Sequence, residues 1–332
     1  MAALVVAHLE QPNIAPPALP CTQASAFAAV AQMRTRPGSK IVICGVGLIG
    51  GSFALALKKS ALALRRDLQV VGMGRTRAPL EQALGLGVID AIGTDWASTL
   101  DGADLVLLGM PVGQMPAVMA ALAPHLQRHT IVTDGGSTKS DVVATARAAL
   151  GDKIGRFVPG HPIAGAEKSG VAAAQVDLYV DKRVVLTPLP ENSADDVKAV
   201  RTVWELCGAN VTQLAAEEHD RVFAAVSHLP HLLAFSLVHD FAQRPNSDQL
   251  FGFAAGGFRD FTRIASSHPE MWRDICIANR HALLQELDAY MAELMHTRVL
   301  LAGADATGLE AMFNAARERR DAWLDSLLPP GE

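Results

Sequence analysis

Residues 40–52 read KIVICGVGLIGGS. The β-branched run at 41–44 predicts a short buried strand, and the Ala- and Leu-rich stretch after it predicts a helix, so the glycines lie in the turn between the two. Gly45 permits the tight turn, Gly47 lets a pyrophosphate approach the backbone, and Gly50 lets the helix pack closely against the strand.

This strand, turn and helix predict that the chain binds a dinucleotide. The phosphates would lie at the N-terminus of the helix, which favours an anion. A merely glycine-rich turn is the alternative, but the motif here has the required strand before it and the required helix after it. We assign cofactor contacts in this segment to the turn residues Gly45, Gly47, Leu48, Ile49 and Gly50.

The end of the second predicted strand, 68–73, indicates which dinucleotide is bound. NAD-selective folds usually place Asp or Glu there for the ribose hydroxyls, and this sequence instead has Arg75, Thr76 and Arg77. Cationic and hydroxyl donors suit a 2′-phosphate, so NADP is favoured and NAD stays possible. The alternative is a basic turn that only faces solvent.

Two further apolar segments, 104–111 and 130–134, predict buried parallel strands separated by helices, which is typical of a doubly wound α/β sheet. Ligands of such sheets bind beyond the carboxyl ends of the strands. We therefore expect the loops 110–114 and 134–139 to line one crevice together with His161, and we assign Pro111 to the cofactor.

The loop 134–139 has two interpretations. It can present the Ser137 hydroxyl and the Lys139 ammonium at the start of a helix. Alternatively, Ser137 or Thr138 only caps that helix, followed by Asp141 in the first turn.

His161 lies in the segment FVPGHPIAG, residues 157–165, between glycines and prolines. An imidazole titrates near neutral pH, so it can take a hydroxyl proton while a hydride leaves the same carbon for an oxidised nicotinamide. A satisfied loop histidine is the alternative, and this segment alone does not decide between the two.

The composition excludes several classes of function. The chain has 332 residues, 50% of them hydrophobic, and a net charge of -5, so it predicts two domains and no phosphate-backbone partner. The four cysteines lack metal-ligand spacing and indicate a reducing cytoplasm. Because apolar runs are interrupted before the roughly 20 residues that a span needs, no membrane segment is expected.

The domain boundaries follow from changes of pattern. Residues 1–39 lack a signal peptide, and the stretch 11–20 is Pro-rich without periodicity, so this segment predicts a flexible extension, within which Met33 is an alternative start. We predict a dinucleotide-binding domain at 40–188 and an all-helical domain at 189–328, with apolar stripes that serve as core or dimer interface. After these helices no regulatory module is expected.

Five motifs occur in one order along the chain. They are 45–52, 134–139, 160–170, 227–231, and 256–265 followed by 269–274. With these motifs the chain resembles the prephenate/arogenate (cyclohexadienyl) dehydrogenase family, from about Lys40 to the late helices. The resemblance implies a Rossmann-type sheet followed by an all-α dimerisation domain. It also implies oxidative decarboxylation of prephenate or L-arogenate to 4-hydroxyphenylpyruvate or L-tyrosine, with hydride transfer to NAD(P)+ in tyrosine biosynthesis.

The resemblance also implies roles for single residues. His161 matches the catalytic histidine that accepts the ring hydroxyl proton, and Ser137 matches the serine that hydrogen-bonds that hydroxyl and the imidazole. Arg263 matches the arginine that holds the ring carboxylate, where a planar guanidinium binds bidentately. The other substrate-binding positions implied are His231, Glu167, Gly256 and Trp272.

Two of these positions carry open questions. Ala166 stands before Glu167 where some relatives have a threonine, which leaves the selectivity for the substrate side chain open. Trp272 matches a residue that reaches the neighbouring active site of a homodimer formed by the helical domain, and a core tryptophan is the alternative.

Two alternative functions explain fewer of these motifs. A β-hydroxyacid dehydrogenase or imine reductase shares the domain order, but typically needs a lysine on the helical side and does not explain His161 together with Arg263. A dinucleotide-sensing dimer without activity needs the glycine turn but neither of those two residues. His228 and His231 lack a third ligand at suitable spacing, so no metal site is predicted.

Overall fold

The computed structural model describes residues 39–165 and 168–327 of the chain. The predicted N-terminal extension lies outside them, apart from Ser39, which begins the first strand. The strands of the main sheet are β1 (Ser39–Cys44), β2 (Leu68–Met73), β3 (Ala91–Ile92), β4 (Leu105–Leu108), β5 (Ile131–Asp134) and β6 (Phe157–Val158). They pair in parallel in the order β3-β2-β1-β4-β5-β6, which is the doubly wound topology and confirms the predicted fold class.

Helices cover both faces of this sheet. They are α1 (Leu48–Ala63), α2 (Arg77–Gly85), α3 (Trp96–Leu100), α4 (Met115–Leu122), α5 (Ser140–Leu150) and α6 (Ala194–Leu206). Short 3₁₀ turns occupy Val112–Gln114, Ala123–His125, Gly151–Arg156 and Val171–Ala173.

Successive side chains of β1 point to opposite faces of the main sheet and belong to the two buried clusters there. Ile41 and Ile43 pack with Phe53 on one face, and Val42 and Cys44 belong to the buried cluster on the other face. Because both faces are covered, the strand is apolar throughout rather than alternating.

A second, smaller sheet extends the first domain further than the sequence predicted. It consists of β7 (Gly160–Pro162), β8 (Arg183–Leu186) and β9 (Asn210–Gln213), with β8 between the other two. Trp204 of α6 is fully buried, and its ring lies 4.7 Å from that of Phe53. The segment from residue 189 that was predicted to be helical therefore contains the strand β9, which the sequence did not indicate because it is short, largely exposed and without an apolar pattern.

The remaining chain is helical. It contains α7 (Ala216–Phe223), a π-helical turn (Ala224–His228), α8 (Leu229–Gln243), α9 (Ser247–Gly252), α10 (Gly256–Thr262), a 3₁₀ turn (Arg263–Ser266), α11 (Pro269–Ala278), α12 (Arg280–Ala302) and α13 (Ala306–Asp325).

One continuous helix runs from 216 to 243, and by length and composition alone it is apolar enough to cross a membrane. This differs from the expectation that no such stretch exists. The helix packs against α10, α12 and the turn 263–266, and its buried residues include His219, Asp220 and His228. We interpret it as a helix of the second domain, because its buried polar groups have protein partners.

The apolar stripes of the last two helices do not form the core of a single chain. Leu283 of α12 is buried, but Met291 and Met295 on the same helix and Phe313 and Trp323 on α13 are each more than half exposed. Exposed apolar surface of this extent is typical of an interface between proteins.

Candidate active site

One cleft lies at the carboxyl ends of β1, β2 and β4 and has a volume of about 510 Å³, which is within the range of small-molecule sites. Of the residues predicted to bind the cofactor, those that line it are Gly45, Gly47, Arg75, Thr76 and Pro111. The loop after β5 does not line this cleft, so the single crevice expected from the sequence is divided.

The glycines of the turn meet three different spatial demands. Gly45 has φ +91°, and a Cβ there would lie 2.8 Å from the Met110 nitrogen. A Cβ on Gly50 would overlap the carbonyl oxygen of Gly45, so Gly50 permits helix packing rather than ligand contact. A Cβ on Gly47 would meet nothing within 4 Å, which leaves the space before the N-terminus of α1 for a diphosphate.

The other predicted cofactor residues have protein partners or lie elsewhere. The carbonyl of Ile49 accepts a hydrogen bond from the Tyr179 hydroxyl at 2.6 Å. Arg77 begins α2 and pairs with Glu81 at 2.7 Å, and neither Arg77 nor Leu48 lines the cleft. The basic turn therefore offers Arg75 and Thr76 to a ligand.

A second cleft, of about 680 Å³, lies between β7 and the helical domain. We call it the substrate cavity, and it brings together the predicted residues His161, His231, Arg263 and Trp272. Gly256 does not line this cavity, and Glu167 lies outside the described residues. Ser137 is half-buried in the loop after β5 and does not line the cavity.

Gly135 lies between the start of α1 and the strand that carries His161. A Cβ on this residue would lie 3.1 Å from Ile49 in the first turn of α1 and 3.7 Å from Pro162 beside His161. The end of β5 therefore places the cofactor turn next to the predicted base.

His161 is held in β7, opposite Val185 of β8. Its Nδ1 lies 2.8 Å from Nε2 of His219, and Nδ1 of His219 lies 2.9 Å from a carboxylate oxygen of Asp220. The ring of Phe223 lies 5.0 Å from that of His161. An imidazole with its Nδ1 in such a chain is fixed in orientation and keeps Nε2 for another partner.

Lys139 does not present its ammonium to a ligand. It is fully buried and pairs with Asp134, whose carboxylate also accepts hydrogen bonds from the backbone N–H groups of Gly136 at 2.8 Å and Gly160 at 3.0 Å. This buried pair joins the loop after β5 to the strand that carries His161.

The N-terminus of α5 is capped from the second domain. Both carboxylate oxygens of Asp220 accept hydrogen bonds at 2.8 Å, one from the backbone N–H of Lys139 and one from that of Ser140. The alternative interpretation, in which Ser137 or Thr138 caps this helix, is therefore wrong. A carboxylate in this position is stabilised by the free N–H groups and by the helix dipole.

The histidines of this cluster are neutral at pH 7. Burial lowers the pKa of His161 well below its usual value, and repulsion from the Lys139 ammonium and from His219 and His228, when these are protonated, lowers it further. Burial lowers the pKa of His228 to about 4 and also lowers that of His219, although Asp220 opposes the shift at His219. A neutral His161 can accept a proton.

His231 and Trp272 form the wall of the substrate cavity on the helical side. Their rings stack at 3.6 Å, and His231 Nδ1 lies 2.9 Å from the carbonyl oxygen of Ser227 in the π-helical turn. Trp272 is buried within its own subunit and lines the cavity of that subunit. Its indole N–H has no hydrogen-bond partner among the described residues.

The sequence did not indicate the residues behind His161. His219 and Asp220 follow two glutamates in a short helix and look like an exposed polar face. Asn279 donates a hydrogen bond to the Asp220 carbonyl at 2.7 Å and lies 3.0 Å from His228 Nδ1. Only the packing of α7 against β7 reveals their connection to the predicted base.

The comparisons with known proteins agree with this architecture. The family model for prephenate dehydrogenase, nucleotide-binding domain, matches residues 53–213, and the model for prephenate dehydrogenase, dimerization domain, matches residues 215–315. The boundary between them falls at the end of β9.

Similar proteins span most of the chain. Prephenate dehydrogenase of Bacillus subtilis (strain 168) is 38% identical over 85% of this chain and 75% of its own length. Cyclohexadienyl dehydrogenase of Zymomonas mobilis is 36% identical over 84% of this chain and 94% of its own length. The crystal structure of prephenate dehydrogenase from A. aeolicus in complex with hydroxyphenyl propionate and NAD+ is 36% identical, with a TM-score of 0.79, and covers 87% of this chain and 100% of that one. With both domains matched in order, this chain belongs to the prephenate dehydrogenase family.

Proposed function

We propose that the protein catalyses the NAD(P)+-dependent oxidative decarboxylation of prephenate or L-arogenate in tyrosine biosynthesis. The observation that carries this proposal is the position of a neutral imidazole, His161, and a guanidinium, Arg263, in one cavity beside the glycine turn. A base and a carboxylate clamp are the groups that a cyclohexadienol carboxylate requires.

The proposed reaction consists of a proton transfer, a hydride transfer and the loss of carbon dioxide. His161 accepts the proton of the ring hydroxyl, and the carbon that bears the hydroxyl loses its hydrogen as a hydride. The bond to the ring carboxylate breaks, its electron pair enters the ring, and carbon dioxide leaves as the ring becomes aromatic. The dinucleotide, when bound along Gly45 and Gly47, supplies the acceptor for the hydride.

Arg263 holds the ring carboxylate of the substrate until the carbon–carbon bond breaks. A guanidinium binds a carboxylate through two parallel hydrogen bonds and thus fixes its orientation. The contact of Ser137 with the ring hydroxyl rests on the family resemblance, since Ser137 lies in the loop after β5 and does not line the substrate cavity.

For the cofactor, NADP is the favoured choice and NAD the alternative. Arg75 and Thr76 line the cofactor cleft at the end of β2, where their charge and hydroxyl suit a 2′-phosphate. The A. aeolicus relative was crystallised with NAD+, which keeps NAD in consideration.

The protein acts as a homodimer in the cytoplasm. The second domain matches a dimerization domain, and the half-exposed apolar residues of α12 and α13 provide surface for a second copy.

The test is an initial-rate measurement of reduced-cofactor absorbance with prephenate and L-arogenate, each paired with NADP+ and NAD+. A fast reaction in at least one of the four pairs supports the function and selects substrate and cofactor. Absence of turnover in all four, with the dinucleotide still bound, would refute it.

A further inference from the structure

The polar chain behind His161 crosses the boundary between the two domains. His161 belongs to β7 of the first domain, and its partners His219 and Asp220 belong to α7 of the second. A buried network in which every polar group has a hydrogen-bond partner fixes the positions of its side chains. These hydrogen bonds therefore fix the orientation of His161, the proposed base.

The positions of the protons on His219 and His161 follow from the charge of Asp220. Burial alone would raise the pKa of Asp220, but hydrogen bonds from His219, Ser140 and Lys139 lower it below its ordinary value. An ionised carboxylate only accepts hydrogen bonds, so Nδ1 of His219 carries the proton and donates to Asp220. Neutral His219 then has its lone pair on Nε2.

His161 must therefore donate from Nδ1 to His219 across 2.8 Å. Its own lone pair is then on Nε2, which is the tautomer that accepts a proton from a ligand in the substrate cavity. With the opposite tautomer His161 would have no basic nitrogen for the substrate.

Neighbouring residues hold His161 and Asp220 in place. Around His161 lie His219, His228 and Lys139, with Phe223 against the ring. The Asp220 carboxylate is immobilised by the N-terminus of α5, and its backbone carbonyl is held by Asn279. Asp134 balances the ammonium of Lys139.

We propose that His219 and Asp220 are positioning residues for proton transfer: they hold His161 in the tautomer that accepts the substrate proton at Nε2, and His219 accepts the hydrogen bond of the imidazolium that forms. This inference rests on the proposed function, since it concerns the base of that reaction. Neither residue touches the substrate, and both act through His161.

A matched pair of variants at position 219 tests the proposal. In His219→Gln the amide oxygen can still accept the hydrogen bond from His161, whereas His219→Phe fills the ring volume without an acceptor. We expect His219→Phe to lower kcat by about tenfold or more with little change in KM, and His219→Gln to keep most of kcat. Equal losses in both variants would overturn the proposal.

The pH profile separates positioning from a structural effect. The imidazolium of His161 loses its hydrogen-bond partner in His219→Phe, so the acid limb of kcat/KM moves to lower pH, and in His219→Gln it stays near the wild-type position. Dinucleotide affinity and Tm are measured for both variants to show that they fold. An unshifted acid limb in a folded His219→Phe contradicts the proposed role.

A double-mutant cycle with His161→Asn distinguishes this inference from the proposed function. If His219 acts through His161, His219→Phe costs nothing further once His161 is replaced. Losses that multiply in the double variant would refute the positioning role alone. Unchanged turnover in His161→Asn by itself would refute the base, and both proposals with it.

Discussion

The cofactor cleft and the substrate cavity are assembled in different ways. In the cofactor cleft, neighbouring residues of one turn, Gly45 and Gly47, supply the space for the ligand, and the start of α1 follows directly. The cavity around His161 instead depends on segments spread from Asp134 to Asn279, joined by buried hydrogen bonds. The glycine turn is therefore built from neighbouring residues, whereas the substrate cavity depends on how the two domains pack together.

The largest effect is expected at the base. His161→Asn removes the group that accepts the proton, so kcat falls by about 10²–10⁴-fold while dinucleotide affinity changes little. Steady-state rates and a dinucleotide titration measure the two properties separately. Retained turnover would remove His161 from the mechanism, and a parallel loss of cofactor binding would show that the clefts are not independent.

A smaller effect is expected at the carboxylate clamp. Arg263→Lys keeps the charge but loses the bidentate geometry, which costs about 1.5–3 kcal/mol of binding, or roughly 10–10²-fold in KM. Arg244→Lys, at an exposed arginine that follows α8, is the control for the same substitution. A KM for Arg263→Lys equal to that of the control contradicts the clamp.

Two glycines in one turn provide the sharpest local comparison. Gly50→Ala forces α1 away from the Gly45 carbonyl and costs about 1–3 kcal/mol of folding free energy, measured by urea unfolding without ligand. Gly47→Ala meets no protein atom within 4 Å, so it leaves stability almost unchanged and weakens dinucleotide binding. The reverse pattern would show that the roles of the two glycines have been exchanged.

Acid conditions act on the buried histidine His228, which lies behind the substrate cavity next to Asn279 and Trp272. His228 has a pKa of about 4 in the folded protein, below its ordinary value of 6.5, so the unfolded chain takes up the proton first as the pH falls. The free energy of unfolding therefore decreases between pH 6.5 and pH 4, by up to about 1.4 kcal/mol for each unit of pKa shift. Chemical unfolding across this range should show the decrease, and a smaller one in His228→Asn; an identical slope in the variant is the contrary result.

The smallest effect is expected at the end of β2. Arg75→Ala weakens NADP+ about tenfold and NAD+ less, because an exposed guanidinium contributes modestly to binding a 2′-phosphate. Arg77→Ala has less effect on both, since Arg77 pairs with Glu81 away from the cleft. Equal losses of NADP+ and NAD+ in Arg75→Ala would end the phosphate assignment.

Local patterns predicted the parts of the protein that depend on local geometry. The run 40–52 was sufficient for the first strand, the glycine turn and α1, because turn conformation and close packing depend on neighbouring residues. The polar strand β9 was not predictable in the same way, since it is held by other elements, through pairing with β8 and a hydrogen bond from Arg201 of α6 to the Val211 carbonyl.

The sequence by itself determined the doubly wound fold, the glycine turn, and the candidates His161, His231 and Arg263, because each has a local pattern or belongs to a motif. Only the tertiary structure decided that Lys139 is a buried partner of Asp134 and that Asp220 caps α5. It also decided that His219 lies between Asp220 and His161, which are 59 residues apart along the chain. Hydrogen bonds between distant segments have no periodicity along a sequence, so they become visible only when the two domains are packed together.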